Sequence, residues 1–380
     1  MQMREAGQSR RDARVDVVRG LALMVIFIDH VPGTVFERLT LKNFGFADAA
    51  EVFVLISGMA VALAYGRKFQ SGDALLAALK MWRRAGVLYC SHIMTTMATL
   101  TIFSGAAVLT HRPDLLRLNN IHTLIDEPAE AFVGIGLLGH QLGYNNILSM
   151  YAVLLLIAPL LTWSLQRWTW QTVLVSGAVW LASGIWRIAP PNYPTEGLWF
   201  LNPLSWQFLF VIGIASILHV RRGGEIPGWL KPMAAAYFCL TLAMVHSPLW
   251  GRESWFGLPV VLGGFDKTFL SLPRLLDILA LAVLVVGSRW FEWLAASAIG
   301  QAMASLGRHS LPIFIWGTVL AMIGQVVRAV SPAGLALDTV LIATGIGLQL
   351  ALACYLDWIS RLGRQPSIIP AGAKTAFPAA

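Results

Sequence analysis

The sequence predicts an all-α integral membrane protein of about ten transmembrane helices with both termini in the cytoplasm. Three observations predict it. Hydrophobic residues make up 57% of the 380-residue chain and charged residues only 13%, against about a quarter charged in ordinary soluble domains, so the chain lacks the polar groups to cover its own surface in water. The apolar residues fall in long runs separated by short polar segments, giving a mean hydropathy of +0.66. The formal net charge of +8 comes from Lys and Arg gathered at alternate junctions between runs. That is the pattern of loops retained inside the cell rather than of a nucleic-acid surface.

A helix needs about 20 residues to cross the hydrocarbon core, and runs of that order define the spans in turn. The first, 17–34, follows the basic stretch MQMREAGQSRRDAR; Asp29 and His30 inside it mark a retained helix rather than a signal peptide. Runs 48–66 and 85–110 are joined by a segment with Arg67, Lys68, Lys80, Arg83 and Arg84. Runs 146–165 and 171–188 form a close pair around Arg167, and 204–220 and 232–248 flank Arg221, Arg222 and Lys231. Run 272–288 precedes Arg289 and Arg308, and runs 309–328 and 336–357 complete the set. An even number of spans places both ends on one face. About two thirds of the 28 basic residues then lie on that face, which makes it cytoplasmic. The expected organisation is a basic cytoplasmic segment 1–16, one transmembrane domain 17–357, and a cytoplasmic tail 358–380.

No internal repeat or heptad pattern is present, and no pair of corresponding broken helices suggests an inverted-repeat transporter. Cys90, Cys239 and Cys354 are isolated in apolar runs, and the eight histidines are scattered without ligand spacing, so neither a metal nor a disulfide framework is expected. No nucleic-acid partner is expected either. Outside segments 111–145, 189–203 and 249–271 are candidate floors of a binding site. The 15 tryptophans, Trp250 and Trp255 among them, belong to interfacial aromatic belts or stack on sugar rings.

Ionisable groups inside a membrane helix are costly and therefore mark candidate sites. Asp29 and His30 are such groups. Arg19 precedes His30 by eleven residues, which at 100° each leaves the two within about 20° on one helix face and roughly 16 Å apart along the axis. A cation near the cytoplasm and an imidazole deep in the membrane suit a long ligand that is anionic at one end, of which acyl-coenzyme A is an example. A histidine near its ordinary pKa can take a proton from an attacking hydroxyl and return it to a departing thiolate. Asp29 would tune or orient it, although neighbours on a helix point about 100° apart. The bland alternatives are a core histidine and a positive-inside arginine.

The run RDARVDVVRGLALMVIFIDHVPG, with Arg19-x10-His30, resembles the first helix of the transmembrane acyltransferase superfamily that includes acyltransferase-3 proteins. The continuation TLKNFGFADAAEVFVLISGMAVALAYG resembles the OpgC family in particular, which attaches succinyl groups to osmoregulated periplasmic glucans. NNILSMYAVLLLIAPLL, WFLNPLSWQFLFVIG, GFDKTFLSLPRLLDILALA and LGRHSLPIFIWG agree in the same order, so the resemblance covers most of residues 10–320. It implies a cytoplasmic acyl-CoA donor, with succinyl-CoA preferred, a periplasmic glucan acceptor, an inner-membrane location, and His30 as base. The segment RLLDILALA departs from the pattern at Asp277, where the resemblance leads one to expect histidine.

Other candidates divide between the two substrates. Asp48 and Glu51 have the D-x-x-E spacing of a capping box, or bind acceptor hydroxyls. Asn146, preceded by Asn145, and Asn202, Trp206 and Gln207 stand at outside helix ends, where amides and an indole suit a sugar or cap and anchor the helices. Lys267 and Arg274 would neutralise a succinyl carboxylate, or pair with Asp266 and Asp277. Arg83, Arg84, Arg308, His309 and Ser310 would bind coenzyme A phosphates together with Arg19, or act as positive-inside anchors. Ser57 and Gly58 read as a close helix-packing position, and His92 as a second base or a packing residue. The rival functions are an acetyltransferase for another polysaccharide or glycolipid, a transporter, and a pH-sensing scaffold. Membrane lipid is an expected partner, and a homo-oligomer is compatible with the sequence.

Overall fold

The structure is a computed structural model that describes residues 13–247, 254, 257–286 and 288–362. Most of the basic N-terminal segment, most of the C-terminal tail, and Trp250 and Trp255 lie outside the described residues. Twelve principal helices organise what is described. They are α1 (Ala13–Asp29), α2 (Ala49–Tyr65), α3 (Ala74–Thr110), α4 (Asn146–Arg167), α5 (Thr169–Ile185), α6 (Pro203–Arg221), α7 (Leu230–Val245), α8 (Leu272–Val286), α9 (Arg289–Ala296), α10 (Ala298–Arg308), α11 (Ser310–Val330) and α12 (Leu335–Leu362).

The expectation of ten spans is corrected by helix length. Six helical segments are long and apolar enough to cross a membrane: Ala49–Phe69, Ala74–Thr110, Gly143–Arg167, Pro203–Arg221, Ser310–Val330 and Leu335–Leu362. A seventh is reached if α8 and α9, inclined at 71° to each other, form one broken span. The α1 and α5 helices have 17 residues, α7 has 16 and α8 has 15. At 1.5 Å per residue these reach only about 22–26 Å, short of a hydrocarbon core of about 30 Å. Composition registered their apolar character but not where each helix stops. The even-number argument for two cytoplasmic termini falls with the count, and both chain ends lie outside the described residues.

Burial separates centre from periphery. The membrane windows of α2, α4 and α6 are 56%, 61% and 56% buried, whereas those of α3 and α12 are 28% and 22% buried. On the outer faces Leu75, Leu79, Met94, Leu109, Trp170, Val340 and Trp358 are exposed, a surface suited to lipid rather than water. The central α2–α6 contact is backbone to backbone. A Cβ on Gly58 would lie 2.2 Å from the Phe210 carbonyl oxygen, and one on Gly213 would lie 2.3 Å from that of Leu55. Small residues at facing positions allow this approach, which gives Gly58 the packing role expected of it. Around this centre α1 packs on α10, α2 and α11, α3 packs on α4 and α11, and α7 packs on α8.

Candidate functional site

The α1 helix ends at Asp29, and the His30 backbone N–H still donates to the Ile26 carbonyl at 3.0 Å, so His30 caps the last turn at a fixed place. Gln325 of α11 holds it from the other side, donating to the His30 carbonyl at 2.7 Å while accepting from Asn119 at 2.8 Å. The imidazole packs on Tyr144, with ring centroids 4.5 Å apart, and its Nδ1 is buried without a hydrogen-bond partner. Asp29 turns elsewhere. Its carboxylate accepts from Thr40 Oγ1 at 2.7 Å and lies 3.4 Å from Lys42 Nζ, in the segment joining α1 to α2. Burial works against the charged form of Lys42, but Glu37 and Asp29 outweigh it and hold its pKa above the ordinary lysine value. Arg328 and Asp338 secure the same segment: Arg328 pairs with Asp338 and donates to the Gly33 carbonyl, and Asp338 accepts from the Val35 N–H.

Beside this end of α1 stands a four-membered ion cluster. Asp48 is the N-cap of α2, accepting from the Ala50 N–H at 2.8 Å, and Glu51 reaches back to the Asp48 N–H at 3.0 Å, which is the capping box the spacing suggested. The same carboxylates carry ion pairs. Lys267 pairs with Asp48, and Arg274 of α8 lies 2.6 Å from Glu51 Oε1 and 3.3 Å from Asp48 Oδ2. Glu51 is 0% and Arg274 8% exposed. Lys267 and Asp48 are also the charges that bear most strongly on the His30 ring.

Asp277 fixes this cluster in place without joining it. One carboxylate oxygen accepts from the N–H groups of Phe46 and Ala47 at 2.8 and 2.9 Å, and the other accepts from Thr241 at 3.0 Å. Gly45 is required there, since a Cβ would lie 2.3 Å from Asp277 Oδ2. The amides and indole on α6 are similarly committed. Asn202 caps α6 through the Leu204 N–H and donates to the Ile188 carbonyl. Trp206 Nε1 donates to the Lys267 carbonyl at 3.1 Å, and Gln207 ties α6 to Ser176 of α5. Asn146 is half-buried at the start of α4, its carbonyl accepting from Ser149.

From the opposite end of α1 a cavity of about 520 Å³ enters between α1, α2, α3, α4 and α11. It brings together Arg19, Arg84 and Ser310, three of the residues expected to meet an anionic ligand. Arg19 is buried and also lies 3.5 Å from Asp16, which lines the cavity with it. Beyond them the walls are apolar and aromatic: Leu88, Leu148, Tyr151, Phe53 and Phe314, with Ser57 the polar exception. Arg83 is exposed and is not among the lining residues. Arg308 and His309 point to Asp357 of α12, at 2.6 and 2.9 Å, so they close a helix contact rather than the cavity wall.

Sequence reasoning weighed Asn145 beside Asn146 at this helix start and assigned only Asn146 to the site, whereas Asn145 is the more buried, 1% exposed with both amide atoms unpartnered. It set His92 at the middle of the third run without relating it to His30; the ring is 0% exposed and lies beside the Asn145 backbone. The pairing of two adjacent asparagines at a helix start was visible, but only burial distinguishes one from the other. No group of three or more potential metal ligands occurs among the described residues. A protein-family model described as OpgC protein matches residues 11–361. No curated protein and no solved structure matches the chain.

Proposed function

This chain belongs to the OpgC family, an acyltransferase-3-like group of multi-pass inner-membrane proteins, and from that membership we propose that it moves an acyl group, succinyl in preference, from cytoplasmic acyl-CoA to a hydroxyl of a periplasmic glucan. The observation that carries this reading is the arrangement along α1: a cavity with Arg19, Arg84 and Ser310 at one end of the helix, and a half-buried imidazole packed on Tyr144 at the other. The two guanidinium groups suit coenzyme A phosphates, which they bind through charge-assisted hydrogen bonds. The apolar walls suit the extended arm of the donor, whose length spans the roughly 16 Å between Arg19 and His30.

The chemistry needs one base. His30 takes the proton of the acceptor hydroxyl as its oxygen attacks the thioester carbonyl carbon. The new carbon–oxygen bond forms, the carbon–sulfur bond breaks, and the departing thiolate takes the proton back from His30. Both substrates meet at one buried point, so no covalent enzyme intermediate is required. Asp48, Glu51, Lys267 and Arg274 lie on the acceptor side, where the basic pair also suits the carboxylate of a succinyl group. Asp29 acts on the α1–α2 segment through Thr40 and Lys42 rather than on the ring.

The test is turnover by purified wild-type and His30→Gln proteins given acetyl-CoA or succinyl-CoA with a neutral β-glucan, read as free thiol and product mass. The expected result is added succinyl mass that disappears in the variant while its melting temperature is unchanged. Full turnover by a folded His30→Gln protein removes His30 as base. A folded wild type that binds glucan and consumes neither donor removes the acyltransferase reading and favours transport.

A further inference from the structure

Six buried polar atoms on three neighbouring elements have no hydrogen-bond partner: His92 Nδ1 and Nε2, Thr96 Oγ1, Asn145 Nδ2 and Oδ1, and His30 Nδ1. Buried polar groups are ordinarily satisfied, so such a concentration needs an explanation outside the protein's own hydrogen bonds. Their residues are linked through the chain and through neighbouring contacts. His92 and Thr96 stand one turn apart on the same face of α3, where side chains four residues apart are neighbours. His92 lies beside the Asn145 backbone. The residue before Asn145 is Tyr144, on whose ring His30 packs at 4.5 Å.

The cavity shares these elements. Leu88 lines it one turn before His92 on α3, and Ile147 and Leu148 line it just after Asn145 at the start of α4. Elements that carry two members of the cluster, His92 and Asn145, therefore also wall the cavity. The cluster is made of uncharged groups: an amide, a hydroxyl, and imidazole rings that offer one N–H donor each when neutral. Such a set does not suit a phosphate or a carboxylate. It suits an oxygen that is neutral on arrival and becomes negative during reaction.

We infer that Asn145 Nδ2–H and the His92 ring N–H receive the acyl carbonyl oxygen of the donor and stabilise the charge that builds on it when the hydroxyl attacks. This inference rests on the acyl-transfer reading and assigns His92 a donor's part in it rather than a base's. As the carbon–oxygen bond forms, the carbonyl electron pair moves onto that oxygen. It returns when the carbon–sulfur bond breaks, and His30 handles the only proton transferred. Thr96 adds a hydroxyl one turn along the same face of α3.

The experiment separates binding from chemistry in the full-length protein. Two donor analogues are titrated: a ketone in which CH2 replaces the thioester sulfur, and a thioether without the carbonyl. Wild type is expected to hold the ketone about tenfold more tightly, and Asn145→Ala to lose that preference while still binding both. With the true donor, Asn145→Ala is expected to lower kcat by about 100- to 1000-fold while raising donor KM by no more than about tenfold. His92→Leu behaves alike, and His92→Gln, which keeps an N–H donor, recovers part of the loss. If wild type turns over and folded Asn145→Ala keeps kcat within about threefold, the inference is overturned and the cluster is a site for structural water. If wild type binds neither analogue and consumes no acyl-CoA, the acyl-transfer reading falls first and takes this inference with it.

Discussion

Replacing Arg274 by methionine removes one charge from a buried cluster and leaves the others in place. Glu51 then keeps a single hydrogen bond, from the Asp48 N–H at 3.0 Å, and loses the guanidinium that approached it at 2.6 and 2.8 Å. Breaking a buried pair in this way costs about 3–5 kcal/mol, because the remaining charge has neither water nor a partner. Asp48 keeps Lys267, so its share of the loss is small. Removing both charges as Glu51→Gln with Arg274→Met preserves the cap through the amide oxygen and is expected to recover at least about 2 kcal/mol of that loss. Equilibrium unfolding of the four proteins of this double-mutant cycle in mixed micelles, with urea or SDS as denaturant, reads the difference directly. A single variant within about 1 kcal/mol of wild type, or a double variant as unstable as the single, refutes the assignment of a buried, mutually dependent pair.

Three further outcomes are expected. Gly45→Ala places a Cβ 2.3 Å from Asp277 Oδ2 and displaces the carboxylate that holds Phe46 and Ala47, lowering stability by about 1–3 kcal/mol, measured by thermal unfolding; an unchanged melting temperature counts against the clamp. Gln325→Leu frees the His30 carbonyl and the Asn119 amide and costs about 0.5–1.5 kcal/mol per lost bond, with kcat falling more than donor KM because the ring is released rather than removed. Arg84→Ala, at an exposed part of the cavity wall, weakens donor binding by about three- to tenfold without altering the melting temperature, and added salt narrows the gap between variant and wild type; equal affinity across salt concentrations removes Arg84 from the donor site.

Local patterns were legible in the sequence, and long-range pairings were not. Asp48 and Glu51 announced a capping box because both partners lie within one helical turn. Nothing local indicated that the same two carboxylates meet Lys267 and Arg274, more than two hundred residues away. Helical periodicity put Arg19 and His30 on one face, and the cavity does begin at Arg19, yet His30 is not among its lining residues. Arg308 and His309 looked like anion ligands, but the Asp357 that occupies them is on another helix. The ten apolar runs did mark helices. Their transmembrane count failed because an apolar run does not show where its helix ends, and α1, α5, α7 and α8 stop at 15 to 17 residues.

The ion cluster also bears on how the chain is made. Arg274 follows Glu51 by 223 residues, so at bacterial translation speeds of roughly 5–20 residues per second the carboxylates of α2 emerge about 10–45 s before their basic partner exists. During that interval a nascent α2 carries two acids and no counterion. Their position at the first turn, rather than in the middle of the helix, lets them wait in water while the apolar remainder enters the bilayer. The arrival of α8 then seals the cluster, making the end of α2 one of the last parts of the bundle to leave water and α8 the element on whose synthesis its burial depends.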